Sequence, residues 1–306
     1  MKKVLVTPQG AYFVKDLSIE HQSSEIEYIY SNGIISNKKE LINLVSDCDG
    51  LIIGSELIDK EVIDSAKNLK VVVRFGTTTE NIDSDYLKKK NIALFKIKSE
   101  YTVKNVAKLC LAFSFTYIFN IQKHYFDSKR GLWNRYLNAD LNEIKVGLIG
   151  AGDISREFLD LGLKLGIKFF YHSRKENPYF KSKKVRFIPK LEDLIKASNI
   201  ISIHLPSNET TKKLFNKKLL SLMSGKALIN TSRADIVCQQ SLENVLDINE
   251  HFFYFCDVLG KEPPEERDLS LIARSNVYST AHIGGYSKEA LVDVSKKAHS
   301  FINKIL

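Results

Sequence analysis

No run of about 18 uncharged apolar residues, the length a helix needs to cross a bilayer, occurs in this chain of 306 residues. The nearest stretch, residues 109–121, is shorter and contains Ser114, Thr116 and Asn120, so no membrane role is expected. The first residues, MKKVLVTPQG, turn polar at Thr7 and lack the apolar centre of a secretory signal, and they read as an opening strand. Cysteine is scarce: Cys48, Cys110, Cys238 and Cys256 stand far apart without the paired spacings of a disulfide framework or metal clip. Reduced thiols in a cytoplasmic protein and no metal site are therefore expected. Also missing is a dense basic block with interleaved aromatics. Lys and Arg number 45 against 36 Asp and Glu, a net charge of +9, yet the cations are scattered, and the one cluster, residues 181–186, reads as a solvated loop. Nucleic-acid binding is thus not expected, and the basic balance suits a small anionic substrate and cofactor.

What is present reads as a globular α/β protein. With 44% hydrophobic and 26% charged residues, the chain is long enough for two domains, each with its own core. Short β-prone runs at 2–7, 25–30, 50–54, 69–75 and 91–97 alternate with helical patterns. Among these are a helix over 38–45 after Asn37 and one over 84–89 with Ser84 as cap. Such spacing predicts βαβ units and a parallel sheet covered by helices. Residues 101–129 carry apolar positions at three-to-four spacing with no Pro or Gly before Gly131, predicting one long helix leaving this first domain. Further strands are predicted at 185–188, 199–205, 227–232, 251–258 and 276–280, and a closing helix at 287–305. The fold class is two doubly wound parallel-sheet domains.

Residues 143–175 organise the second domain. A strand over 145–149 leads into Gly150, Gly152 and Ser155 at the G-x-G-x-x-(G) spacing, then a helix over 153–165 and a second strand over 167–171. The first glycine permits a tight turn, the second lets backbone approach a pyrophosphate, and the helix N-terminus favours the phosphate charge. Ser155 stands where a third glycine is usual, and it is small enough for close packing. The second strand ends in His172, Ser173, Arg174 and Lys175, where an NAD site normally places an acidic residue for the ribose hydroxyls. Basic residues there suit a 2′-phosphate, so NADP(H) is the expected cofactor, with NAD(H) left open. Ligands of open parallel sheets sit beyond the carboxyl ends of the strands, and there Arg233, Glu262 and His282 stand out.

At these positions the chain resembles the D-isomer-specific 2-hydroxyacid dehydrogenases. NTSRADIV (230–237), DVLGKEP (257–263) and STAHIGG (279–285) match family segments reading N-T-x-R-G-x-x-V, D-V-F-x-x-E-P and T-P-H-I-G/A-G. The likeness continues through VVVRFGTTTENID (71–83), VAKL (106–109) and IHLPSNETT (203–211), in the family's order around the same nucleotide turn. It implies a flavodoxin-like substrate domain, residues 1–100 plus 286–306, and a Rossmann nucleotide domain, residues 101–285. It implies hydride transfer between NAD(P)H and a small 2-keto acid such as glyoxylate or hydroxypyruvate, with His282 as proton donor, Glu262 orienting it and Arg233 holding the substrate carboxylate. A histidine suits the acid role because its ordinary pKa lies near neutrality, and a guanidinium fork matches a carboxylate.

The cofactor would meet Gly150, Gly152, Asp153, Ile154, Ser173, Arg174, Lys175, His204, Pro206, Thr231, Ser232 and Asp257, the last resembling an aspartate that contacts the nicotinamide carboxamide. His204 reads as a cofactor-loop or packing residue, not a second acid. Arg74, Phe75, Gly76 and Thr77 match the substrate loop, although its usual G-x-G becomes Gly76-Thr77-Thr78. Ala234 and Ala281 replace a glycine and a proline of the family pattern. Two alternatives stay open: a 3-phosphoglycerate dehydrogenase, for which LIIGSE (51–56) lacks an arginine those enzymes often carry, and a non-catalytic NAD(H)-sensing protein. The family commonly dimerises through the nucleotide domain, and Trp133 lies in a segment that suits that role.

Overall fold

The computed structural model describes residues 1–31, 35 and 37–306. The chain divides into two compact units, Met1–Thr102 with Gly285–Leu306, and Val103–Gly284.

The first unit is built on strands β1 Lys2–Val6, β2 Ile26–Tyr30, β3 Gly50–Ile53, β4 Val71–Arg74 and β5 Ala93–Lys96. All pair in parallel in the order β2-β1-β3-β4-β5, the flavodoxin-like winding. The central strands GLII and VVV are buried throughout, because helices cover both faces of the sheet and neither face can carry a polar alternation. Leu5, Leu51 and Val72 face one apolar layer, and Val4, Ile52, Val71 and Val73 face the other. The closing helix Lys288–Ile305 belongs to the second layer through Val294, Ala298 and Ile302, spaced every four residues. Ser287 caps it, its hydroxyl accepting from the Ala290 N–H at 3.1 Å. Asn37 caps the helix Lys38–Val45. The helix expected to be capped by Ser84 is capped by Asp83 instead, whose carboxylate accepts from the Tyr86 N–H at 3.0 Å, and Ser84 is the first helical residue. An aspartate one position earlier outcompetes serine because its charge also meets the helix N-terminus.

The second unit carries β6 Lys145–Ile149, β7 Lys168–His172, β8 Arg186–Phe187, β9 Ile200–Ile203, β10 Ala227–Asn230, β11 Phe253–Cys256 and β12 Val277–Ser279. Again all pairs are parallel, in the order β12-β11-β10-β9-β6-β7-β8. Strand order reverses between β6 and β9, the switch point at which a Rossmann sheet opens its binding crevice. Alternate residues serve opposite layers: Leu228, Tyr254 and Cys256 face one, Ala227, Ile229 and Phe255 the other.

Residues 101–129 do not form one helix. Glu100–Ile118 and Ile121–Lys129 are separated at Asn120, which takes a left-handed φ of 50°. Asparagine is one of the few side chains that tolerate this conformation, and apolar spacing does not register a single reversed residue. Residues 181–186, expected as a loop, are shared between a helix Pro178–Ser182 capped by Asn177, a turn with Lys184 at φ 58°, and the edge strand β8. No helix among the described residues is long and apolar enough to cross a membrane.

Candidate active site

Because every strand of the second unit runs the same way, the carboxyl ends of β6, β9, β10, β11 and β12 bring five loops to one edge. The loop after β6 is the glycine turn. Gly150 has φ of 102°, and a side chain there would overlap the carbonyl oxygen of His204 at the end of β9, so the turn admits only glycine. Gly152 is different. Its φ of −82° suits any residue, it precedes the first residue of the helix Asp153–Leu163, and a Cβ built on it meets nothing within 4 Å. An open space at a helix N-terminus, bordered by a residue without a side chain, fits a pyrophosphate. Ser155 is buried, and its hydroxyl donates to the Gly150 carbonyl at 2.9 Å, so the residue in the third glycine position braces the turn. Asp153 pairs loosely with Arg156 at 3.8 Å, and Ile154 packs on the core.

After β7, the Ser173 hydroxyl donates to the Lys175 carbonyl at 2.6 Å, while Arg174 and Lys175 are exposed. Asn177, which sequence reasoning missed, ties this loop to the glycine turn, its amide donating to the Ala151 carbonyl at 3.2 Å. Its signal was visible only as the Asn-x-Tyr start of a helix. His204 packs edge-on to Phe158 at 6.2 Å, both its ring nitrogens are enclosed without a hydrogen-bond partner, and burial pushes its pKa down to about 3. A ring so held neutral is a packing element and not an acid. Pro206 offers its carbonyl to Thr211 Oγ1 at 2.7 Å.

The loop after β10 is braced by buried Asn230, whose side chain accepts from the Ser232 N–H at 3.1 Å and donates to the Arg233 carbonyl at 2.9 Å. Ser232 Oγ donates to the Ile203 carbonyl at 2.9 Å, bridging to β9, and Thr231 Oγ1 lies 3.4 Å from Cys110 Sγ. Arg233 Nη1 donates to the Ser232 carbonyl at 2.7 Å.

Glu262 and His282 meet directly. Glu262 Oε2 lies 2.6 Å from His282 Nδ1, and Oε1 accepts the Leu259 N–H at 3.0 Å. Burial works against the Glu262 carboxylate, but the His282 hydrogen bond and charge, the Leu259 N–H and the Arg233 charge outweigh it and hold its pKa below the usual glutamate value. The Glu262 hydrogen bond, supported by the charges of Glu262 and Asp257, raises the His282 pKa above the ordinary histidine value, against burial and the Arg233 charge. The Arg233 charge acts on both groups, and of the three predicted residues Glu262 and His282 are the two in direct contact. With Nδ1 committed to the carboxylate, Nε2 is the nitrogen available for proton transfer.

The predicted substrate-loop residues lie in the other unit, at the end of β4. Gly76 has φ of 149°, and its carbonyl accepts the Ile97 N–H at 2.9 Å. Arg74 Nη1 donates to the Phe75 carbonyl at 2.9 Å, and a Cβ on Gly76 would come within 3.3 Å of that nitrogen. Thr77 is exposed. No group of three or more His, Cys, Asp or Glu among the described residues is arranged to hold a metal ion.

Comparison with known proteins shows the family. Residues 111–284, more than half of the chain, match the model of the D-isomer specific 2-hydroxyacid dehydrogenase NAD binding domain. The chain belongs to that family, whose members are oxidoreductases of 2-hydroxy acids. It is 28% identical over 259 residues to the hydroxypyruvate reductase of Thermotoga maritima, covering 83% of each chain. It is 26% identical over its whole length to the D-3-phosphoglycerate dehydrogenase of Methanocaldococcus jannaschii, of which it spans only 58%. Among solved structures, a protein from Thermus thermophilus superposes with a TM-score of 0.82 at 26% identity, covering 97% of this chain and 94% of that one.

The two glycines of the turn separate stability from binding. Gly150→Ala should cost roughly 2–4 kcal/mol of unfolding free energy through its left-handed φ and the overlap with His204. Gly152→Ala should cost no more than about 1 kcal/mol but weaken dinucleotide affinity about tenfold or more. Denaturant unfolding and NADH fluorescence titration measure the two effects, and unchanged affinity in Gly152→Ala would put the pyrophosphate elsewhere.

Proposed function

We propose that this chain reduces small unphosphorylated 2-keto acids, glyoxylate or hydroxypyruvate among them, to the corresponding 2-hydroxy acids, in the D form where that carbon is a stereocentre, with NADPH as preferred reductant. The observation that carries the reading is the 2.6 Å Glu262–His282 pair standing with Arg233 at the edge that also holds the glycine turn. The name of the hydroxypyruvate reductase relative supports this substrate class.

In this reading Arg233 binds the substrate carboxylate and keto oxygen through its guanidinium fork. Bound dihydronicotinamide supplies the hydride. His282 Nε2 gives its proton to the oxygen as negative charge develops there, and the Glu262 carboxylate stabilises the imidazolium beforehand and keeps the ring's donor pointing outward. Gly150, Gly152, Asp153 and Ile154 would hold the pyrophosphate. Ser173, Arg174 and Lys175 would meet the adenosine ribose, with no acidic side chain among them to contact its hydroxyls. Thr231, Ser232, His204, Pro206 and Asp257 would border the nicotinamide half. Arg74, Phe75, Gly76 and Thr77 would contribute to substrate binding.

A homodimer is part of the same reading. Ile121, Tyr125, Phe126, Leu132, Trp133 and Leu137 leave large apolar surface in water, with Trp133 85% and Leu137 99% exposed. Six exposed apolar side chains gathered within residues 121–137 suit an interaction surface. Four free thiols, Cys48, Cys110, Cys238 and Cys256, suit a reducing compartment, the cytoplasm.

A panel of glyoxylate, hydroxypyruvate and phosphohydroxypyruvate with each reduced cofactor, followed by absorbance, tests the substrate class. Preference for the phosphorylated acid, lost in Arg74→Ala, would favour a phosphoglycerate dehydrogenase, and tight NADH binding without turnover would favour a sensor. The raised pKa of His282 fixes the pH response. The protonated donor persists above the ordinary value near 6.5, so kcat/KM for keto-acid reduction stays level through that region and falls as pH rises through the raised pKa. Hydroxy-acid oxidation, which needs the neutral ring, rises over the same interval. Glu262→Gln moves both inflections to lower pH, and unmoved inflections would contradict the pairing. For the cofactor, Arg174→Ala should raise KM for NADPH about tenfold with little change for NADH, since a charge-assisted phosphate contact is lost. Equal effects on both would refute the selector role. Sedimentation should find a dimer that Trp133→Glu converts to monomer, whereas a monomeric wild type would contradict the interface.

A further inference from the structure

His282 does not adopt its position at ease. Its backbone φ is 54°, a left-handed conformation unfavourable for a residue with a Cβ, which persists only when the surroundings over-determine it. The residues around it are held from two sides. On one side stands Asp257, 2% exposed, whose carboxylate accepts three hydrogen bonds from this single loop. Thr280 Oγ1 and the Ile283 N–H reach Oδ1 at 2.6 and 2.8 Å, and the Gly284 N–H reaches Oδ2 at 2.7 Å. On the other side, the Asn105 amide, from the helix Glu100–Ile118, donates to the Gly284 carbonyl at 2.9 Å and lies 3.5 Å from the Ile283 carbonyl. There is no slack between the two sides: a Cβ on Gly284 would stand 2.9 Å from Asp257 Oδ2 and 3.0 Å from Val106 Cγ2. Val106 and Ala107 anchor that part of the helix in the core.

We infer that Thr280 and Asn105 are positioning residues, which hold the loop on Asp257 so that the His282 ring meets Glu262. Neither needs to touch a reactant. The Thr280 hydroxyl is a charge-assisted donor to a buried carboxylate, and it stands two residues before His282, while the Ile283 and Gly284 amides hold the loop immediately after it. With residues 280, 283 and 284 pinned, the left-handed turn at 282 is the way the chain joins them. Asn105 prevents the pinned segment from lifting, since it grips the carbonyl of the residue whose N–H Asp257 grips. The charged groups that act on the His282 ring are Glu262, Asp257 and Arg233, and loosening the loop changes its distance to all three. Asn105 lies just outside the matching segment VAKL, and Thr280, although it stands in the matching segment STAHIGG, was given no role by the sequence. The inference rests on the reading of His282 as proton donor, but its geometry can be tested without turnover.

The test is an NMR titration of the His282 ring in the full chain without ligand, assigned with His282→Gln, for wild type, Thr280→Val, Thr280→Ser and Asn105→Ala. Thermal unfolding of each variant checks that it folds. Thr280→Val and Asn105→Ala should lower the titration midpoint toward the ordinary histidine value. They should also reduce kcat about tenfold while KM changes less than about threefold, and Thr280→Ser should restore most of both. Wild-type midpoints in both folded variants would overturn the inference, as would equal losses in Thr280→Ser and Thr280→Val, which would mark a structural role only. If wild type turns over no keto acid, the proposed function fails, and the titration midpoints alone still decide whether the clamp positions the ring.

Discussion

The hydrogen bond between Glu262 and His282 is the interaction on which the rest of the proposed site depends. A partly buried carboxylate is unfavourable unless its charge is met. Here it is met from both ends, by the imidazole at one oxygen and the Leu259 N–H at the other. The same bond raises the His282 pKa above that of an isolated histidine and leaves the opposite ring nitrogen uncommitted to the carboxylate. Arg233 opposes this slightly by repelling the imidazolium. In the proposed reaction a substrate carboxylate held by Arg233 would offset that repulsion.

Everything behind the pair serves to place it. Parallel strands put five loop starts on one edge, and the loops are fixed by buried polar side chains, not by packing alone. Asn230 braces the arginine loop, Ser155 braces the glycine turn, and Asp257 braces the histidine loop. Each satisfies backbone groups that a turn would otherwise leave unpaired in a dry environment. The glycine turn adds a steric condition: Gly150 runs so close to the His204 carbonyl that any side chain would separate β6 from β9 at the point where the strand order reverses.

Much of this was legible in the sequence. The strands were, because residues buried on both sides of a parallel sheet give continuous apolar runs such as VVV over 71–73 and LII over 51–53. The catalytic candidates were visible because they follow strand ends within segments resembling a family. What remained hidden depends on single residues or on distant partners. Asn120 breaks a helix through one reversed φ, and Asp83 takes a cap assigned to its neighbour. Asn105 reaches Gly284 across 179 positions of sequence, and no spacing rule within a window records such a contact. The small size of Ser155 was legible as suited to close packing, but its bracing role was not, since that lies in its hydroxyl donating to the Gly150 carbonyl.

In the proposed reaction His282 donates the proton to the keto oxygen. The most direct measurement compares wild type with His282→Gln in single-turnover oxidation of NADPH or NADH by hydroxypyruvate at neutral pH, with cofactor affinity measured alongside. The account predicts a loss of about 10²–10⁴-fold in the rate at nearly unchanged cofactor affinity. A His282→Gln protein that turns over at the wild-type rate would contradict it.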